Sequence, residues 1–241
     1  MIALLEVDNI SKSFSGLRAV QDVSFTVPAG GIVALIGPNG AGKTTCFNLI
    51  AGVYRPDHGA VRFDGQRIDG WRPDQICRAG IGRTFQLVKP FAGLSVLENV
   101  TVGALNASSS VAEARDRSKA VLEKLGLWNK RDQAAGALTL PERKLLEVAR
   151  ALATGPRLLL LDEVMAGLRP TEVNTMVSLF RELNASSGLT ILLIEHVMRA
   201  VMALSRTIVV LHHGQVIASG TPDEVTRDPA VLESYLGEEA L

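Results

Sequence analysis

The chain has 241 residues, with 25 Lys and Arg against 25 Asp and Glu, so its formal net charge is zero. Hydrophobic residues make up 47% and charged residues 21%, the balance of a globular protein with a sizeable core, which excludes disorder as the main state. A chain built mainly to coat nucleic acid would carry a basic excess, and this one has none; the length predicts one large domain or one domain with a lobe.

Mean hydropathy is +0.21, so a membrane span has to be considered. The longest uncharged stretch, Val23–Gly42, is interrupted by Pro28, Pro38, Asn39 and several glycines, whereas a span needs about 20 mainly apolar residues. The start, Met-Ile-Ala-Leu-Leu-Glu-Val-Asp, lacks a basic segment followed by an apolar one, so no secretory signal is expected. Cys46 and Cys77 belong to no paired motif and read as free thiols in a reducing cytoplasm.

Taken in chain order, Ile2–Val7 and Val20–Val27 read as strands, and Ile32–Ile36 as a strand buried on both faces. A glycine-rich turn follows, then a helix over Thr44–Ala51 that stops at Gly52. Ala60–Ile68 reads as a hairpin turning at Asp64-Gly65. From about Leu87 to Thr154 the texture becomes helical: a helix over Val111–Leu125, a second over Glu142–Ala153, and a small-residue loop, Ala104–Ser110. Strands resume at Leu158–Leu161 and Thr190–Ile194, with a helix over Thr171–Leu183 between them, so a parallel sheet with crossovers is expected. Thr207–Leu211 and Gln215–Ala218 form a terminal hairpin around His213-Gly214, and short helices at Pro222–Val225 and Pro229–Leu236 close the chain.

The strongest signal is Gly37-Pro38-Asn39-Gly40-Ala41-Gly42-Lys43-Thr44, which fits the Walker A spacing with a strand before it and a helix after it. Backbone amides turned inward at such glycines, together with the helix N-terminus, make an anion site. Lys43 can reach outer phosphates and Thr44, with Thr45 beside it, can face Mg²⁺. The alternative is a mere tight turn. A second signal is the apolar strand ending in Asp162-Glu163: Asp162 suits a Mg²⁺ shell and Glu163 a general base, although such a pair also serves as a helix cap. Gln86 and His196 stand just past apolar segments, where a γ-phosphate sensor is needed, and alone would read as surface residues.

With these motifs in place, the chain resembles the ATP-binding subunits of ABC transporters over nearly its whole length. The resemblance implies an α/β P-loop NTPase: a mixed parallel sheet core, an N-terminal antiparallel β subdomain, and an inserted α-helical lobe at about 87–154, all within one domain over 1–241. It implies that Phe14, in Ser11-Lys12-Ser13-Phe14, stacks on adenine, the alternative being a core residue. It also makes Gln86 the Q-loop residue that senses Mg²⁺ and the membrane partner, Glu163 the catalytic base and His196 the switch histidine. ATP and Mg²⁺ are the implied cofactors. Within the family the chain looks most like subunits of branched-chain amino acid importers, on Ile81-Gly-Arg-Thr-Phe-Gln86, Ala166-Gly-Leu168 with Pro170-Thr-Glu172, and the ending Ser219–Glu224 to Tyr235-Leu-Gly237. Such a subunit works as a dimer on transmembrane permease subunits, at the cytoplasmic face of the membrane, served indirectly by a periplasmic or extracellular solute-binding protein.

Two departures stand out. The family's signature, usually LSGGQ, is here Leu138-Thr139-Leu140-Pro141-Glu142. Thr139 keeps a hydroxyl for the partner's nucleotide, but the glycines are gone and Pro141 has no N–H. Thr139 and Glu142 also have capping-box spacing, so the helix start is expected to survive while its phosphate grip weakens. Arg169 stands where the family usually has Asp or Asn, and two facing arginines would repel in a homodimer. A heterodimer with a standard-signature subunit is therefore expected. Alternatives are an ATPase subunit of a lipid or polysaccharide exporter, and a non-transport ABC protein that binds nucleic acid; the zero net charge gives the latter little support, and no nucleic-acid partner is expected.

Overall fold

The computed structural model describes residues 2–86 and 89–236. The chain opens with β1 (Ala3–Phe14) and β2 (Leu17–Pro28), then β3 (Ile32–Ile36) and helix α1 (Lys43–Ile50). β4 (His58–Phe63), β5 (Gln66–Arg67), α2 (Pro73–Ala79) and β6 (Ile81–Arg83) follow. Next come α3 (Val96–Ala104), α4 (Val111–Lys124) and α5 (Leu140–Ala153), which pack together. The remainder is β7 (Leu158–Asp162), α6 (Pro170–Ser187), β8 (Thr190–Ile194), α7 (Met198–Leu204), β9 (Thr207–His212), β10 (Gln215–Gly220), α8 (Pro222–Val225) and α9 (Pro229–Leu236).

Two sheets organise these elements. One is antiparallel, in the order β2-β1-β4-β5; the other runs β10-β9-β3-β8-β7-β6 and is parallel except for β10, which pairs antiparallel with β9. The central strands of the second sheet are buried at every position, as strands covered on both faces must be. The period of two divides their side chains between two cores. Ile32, Ala34, Leu159, Leu161, Ile191 and Leu193 pack with the helices α3 to α6. Val33, Leu35, Leu158, Leu160, Leu192 and Ile194 face Phe47, Leu49 and Ile50 of α1 and the antiparallel sheet. Each buried leucine of this kind contributes roughly 2 kcal/mol.

β1 and β2 run well beyond Ile2–Val7 and Val20–Val27. Polar Asp8-Asn9 and Ser11–Ser13 break the apolar pattern, but bulges at Asn9 (φ 46°) and Asp22 (φ 48°) let pairing continue. The Ser11 hydroxyl, which donates to Asp22 Oδ1 at 3.0 Å and accepts the Asp22 N–H at 2.9 Å, ties the two strands there. Ser15 (φ 47°) and Gly16 (φ 88°) then make the two-residue turn with both residues left-handed that twisted hairpins favour. Helices α2, α3 and α7 are additional to the expected elements, and α6 is longer than Thr171–Leu183. The Ala104–Ser110 loop includes a 3₁₀ turn at Leu105–Ala107. Leu87, where the expected lobe begins, and Gly237 lie outside the described residues.

Candidate nucleotide site

The C-terminal ends of β3, β7 and β8 lie side by side in the parallel sheet, and ligands bind at that edge in such folds. From β3 the chain turns through Gly37 to Gly42 into α1. Gly42 caps α1 at φ 101°, and a Cβ there would overlap the Ala19 carbonyl oxygen, so glycine is needed for both conformation and space. The β9–β10 turn supports the loop from behind: the Gly214 N–H donates to the Ala41 carbonyl at 3.0 Å. Lys43 is buried, and its ammonium donates at 2.7 Å to the carbonyls of Gly37 and of Pro38. That cation is thus held across its own loop. Around it lies a cavity of about 510 Å³ lined by Asn39–Thr45 and by Arg18, Gln21, Gln86 and Glu163.

Asp162 ends β7 and is 1% exposed. Arg83, from β6, donates to Asp162 Oδ2 at 3.1 Å and to Asn48 Oδ1 of α1 at 2.7 Å. Burial pushes the Asp162 carboxyl above its usual range, while the Arg83 guanidinium works in the opposite direction. The other oxygen, Oδ1, is buried with no hydrogen-bond partner among the described residues. Asp162, Thr44 and Gln86 line a second cavity of about 460 Å³, which shares Thr44 and Gln86 with the first. A hydroxyl, an amide and one unsatisfied carboxylate oxygen are hard oxygen donors that fit Mg²⁺, which is typically held by one or two carboxylates plus phosphate and water. No group of three or more His, Cys, Asp or Glu that could hold a metal occurs among the described residues; phosphate and water would complete the shell around these donors.

Glu163 stands between two partners. The Gln86 amide donates to its Oε2 at 2.6 Å, and His196 Nε2 lies 2.9 Å from its Oε1. Three residues far apart in sequence are brought together, Gln86 and Glu163 at the cavity wall and His196 behind Glu163, whose side chain is only 14% exposed. A carboxylate held this way can take a proton from water. Beneath it lie Lys144 of α5, whose ammonium donates to the Glu163 carbonyl at 3.0 Å, and Glu195, whose Oε1 accepts the Met165 N–H at 2.8 Å. Burial pushes Glu195 up to about 7 and lowers Lys144.

Phe14 and Thr139 sit apart from these cavities. Phe14, 37% exposed, packs edge-to-face on Tyr54 with ring centroids 5.0 Å apart, and it is Leu17, Arg18 and Ala19 of β2 that reach the cavity wall. Thr139 caps α5, its N–H donating to Glu142 Oε2 at 2.9 Å, with Pro141 in the first turn. The helix start survives the loss of the glycines. Arg169 is exposed, yet Glu172 of the same chain lies 3.3 Å from its guanidinium, so an acidic companion to this arginine is already present. Arg83 and Lys144 were not singled out from sequence: their partners lie 79 and 19 positions away, and no spacing rule links them.

The ABC transporter family model matches residues 20–166, and a branched-chain amino acid ATP-binding cassette transporter model matches 215–240. BraF of Pseudomonas aeruginosa, a high-affinity branched-chain amino acid transport ATP-binding protein, is 39% identical over 250 residues, with 98% of each chain covered. LptB of Acidithiobacillus ferridurans, a lipopolysaccharide export system ATP-binding protein, is 36% identical over 239 residues, with 99% of each covered. Among solved structures, the ADP conformation of MJ1267, an ATP-binding cassette of an ABC transporter, superposes with a TM-score of 0.90 at 33% identity, covering 98% of this chain and all of the other.

Proposed function

The chain belongs to the ABC transporter family of P-loop ATPases, and from that premise we propose that it powers uptake of branched-chain or other hydrophobic amino acids. The observation that carries the hydrolytic part is the clamp on Glu163 by Gln86 and His196 at the wall of the Lys43 cavity. The triphosphate lies along the amides of Gly37–Gly42, with Lys43 leaving its loop carbonyls for the outer phosphates and the adenine reaching past the cavity wall to Phe14. Glu163 orients and deprotonates the attacking water, and His196 reads the γ-phosphate. Thr44, Gln86 and Asp162 would hold Mg²⁺, which when bound neutralises phosphate charge. The uptake reading is supported by the C-terminal match at 215–240 and by the likeness to BraF.

The working unit is a dimer on transmembrane permease subunits at the cytoplasmic face of the membrane, fed by a solute-binding protein outside. The helical lobe, about 87–154, grips the permeases. Because Leu140 and Pro141 replace the signature glycines, the partner is a different subunit with a standard signature. Among the described residues no helix is long and apolar enough to cross a membrane. The likeness to LptB supports a second reading, an exporter of lipid or polysaccharide; the identity of the membrane proteins that co-purify with the chain separates the two.

Glu163→Gln keeps the hydrogen-bonding shape but removes the base. ATP turnover by the assembled complex should fall at least about 100-fold, with ATP binding retained. Unchanged hydrolysis removes Glu163 from its role.

A further inference from the structure

We propose that Lys144 is a positioning residue for Glu163, through which helix α5 holds the backbone that aims the base. The inference rests on the hydrolytic reading above and adds a part that the nucleotide motifs do not contain.

Glu163 adopts φ 51°, a left-handed conformation that a non-glycine residue keeps only when its surroundings hold it there. Its N–H donates to the Ile194 carbonyl at 2.9 Å, fixing one side of the residue to β8. Its carbonyl accepts from Lys144 Nζ at 3.0 Å, fixing the other side to α5. Two residues on, the Met165 N–H donates to Glu195 at 2.8 Å. The turn is therefore pinned by two buried ionisable side chains, Lys144 at 6% exposure and Glu195 at 1%.

A buried ammonium is costly unless paired and hydrogen-bonded. Lys144 lies on a helix whose buried residues include apolar Leu146, Val148 and Ala149 and the acidic Glu147. The Lys144 charge lies within reach of the Glu195, Glu163, Asp162 and Glu147 carboxylates, and its hydrogen bond goes to the carbonyl of the residue carrying the carboxylate which Gln86 and His196 clamp. Lys144 is also five residues from Thr139, less than two helical turns. A single side chain thus links the start of the signature helix to the peptide of the base. When α5 shifts, the Lys144 contact moves with it and the Glu163 backbone is free to leave its left-handed conformation, so hydrolysis follows the position of the helix.

The test uses the assembled complex with its membrane subunits. Lys144→Met should lower kcat at least about tenfold, since small misplacements of a reacting group cost about that much or more. KM for ATP and the affinity for MgADP should stay within about twofold, because phosphate binding does not use this contact. Lys144→Arg, which keeps a donor, should recover most of the lost kcat. Should Lys144→Met fail to fold, Lys144→Met combined with Glu195→Gln removes both buried ionisable groups, keeps an acceptor for the Met165 N–H, and carries the same expectation. Wild-type kcat in the Met variant, or an equal loss in the Met and Arg variants, overturns the inference. Absence of turnover in the wild-type complex overturns the hydrolytic reading instead.

Discussion

Arg83 shows how one side chain can make a buried carboxylate tolerable. It bonds Asp162 Oδ2 at 3.1 Å, reaches Asn48 at 2.7 Å, and lies over the Phe47 and Phe85 rings at 6.0 and 5.3 Å. One oxygen of Asp162 is thereby satisfied and the other is left for a ligand. Both side chains are largely buried, at 11% and 2% exposure, and breaking such a pair by deleting one partner costs about 3–5 kcal/mol, because a buried charge is left alone. Arg83→Ala should accordingly lose roughly 3 kcal/mol of stability in urea titration, with the m-value unchanged. A loss under about 1 kcal/mol would mean that water replaces the guanidinium and the pair does little. No sequence pattern announces this pair; Asp162 was legible as the end of an apolar run, whereas its partner was one polar residue in the Ile81–Gln86 segment.

Among the elements, α5 carries the greatest functional consequence. Its start keeps the Thr139–Glu142 box and a proline in the first turn, so the change at Leu140 and Pro141 does not undo the helix. What it removes is glycine backbone and one N–H at the end that would face a partner's nucleotide. Donors aimed at developing charge are worth about 100-fold or more each. The chain alone should therefore hydrolyse ATP at least about tenfold more slowly than when mixed with the standard-signature subunit proposed as its partner. Strong activity of the lone chain that also survives Thr139→Ala would sink the asymmetric arrangement. Arg169 no longer argues for that arrangement with the same force, since Glu172 lies beside it. The start of this helix was legible because capping chemistry is local. α3 was not: Val96, Val100, Thr101, Val102 and Gly103 are poor helix formers, and only the Ser95–Glu98 box marks its start. Packing against α4 and α5 overrides that propensity.

Across the whole molecule, one sheet edge gathers the functional groups. β3, β7 and β8 each end at it, so the glycine loop, Asp162-Glu163 and His196 arrive together although they span about 160 positions. That gathering was foreseeable from strands alternating with helices, because parallel strands share an edge. The bulged extension of β1 to Phe14 was not, since a bulge leaves no apolar period to follow. All of this chemistry needs a triphosphate in the loop before Lys43. Calorimetric titration of MgATP into the wild-type chain, the Glu163→Gln chain and the Lys43→Ala chain tests this directly. Binding heat from the first two and at least about a 100-fold loss of affinity in the third is the result expected for a charged phosphate contact. No heat from the wild-type chain, or Lys43→Ala binding as tightly as wild type, would contradict it.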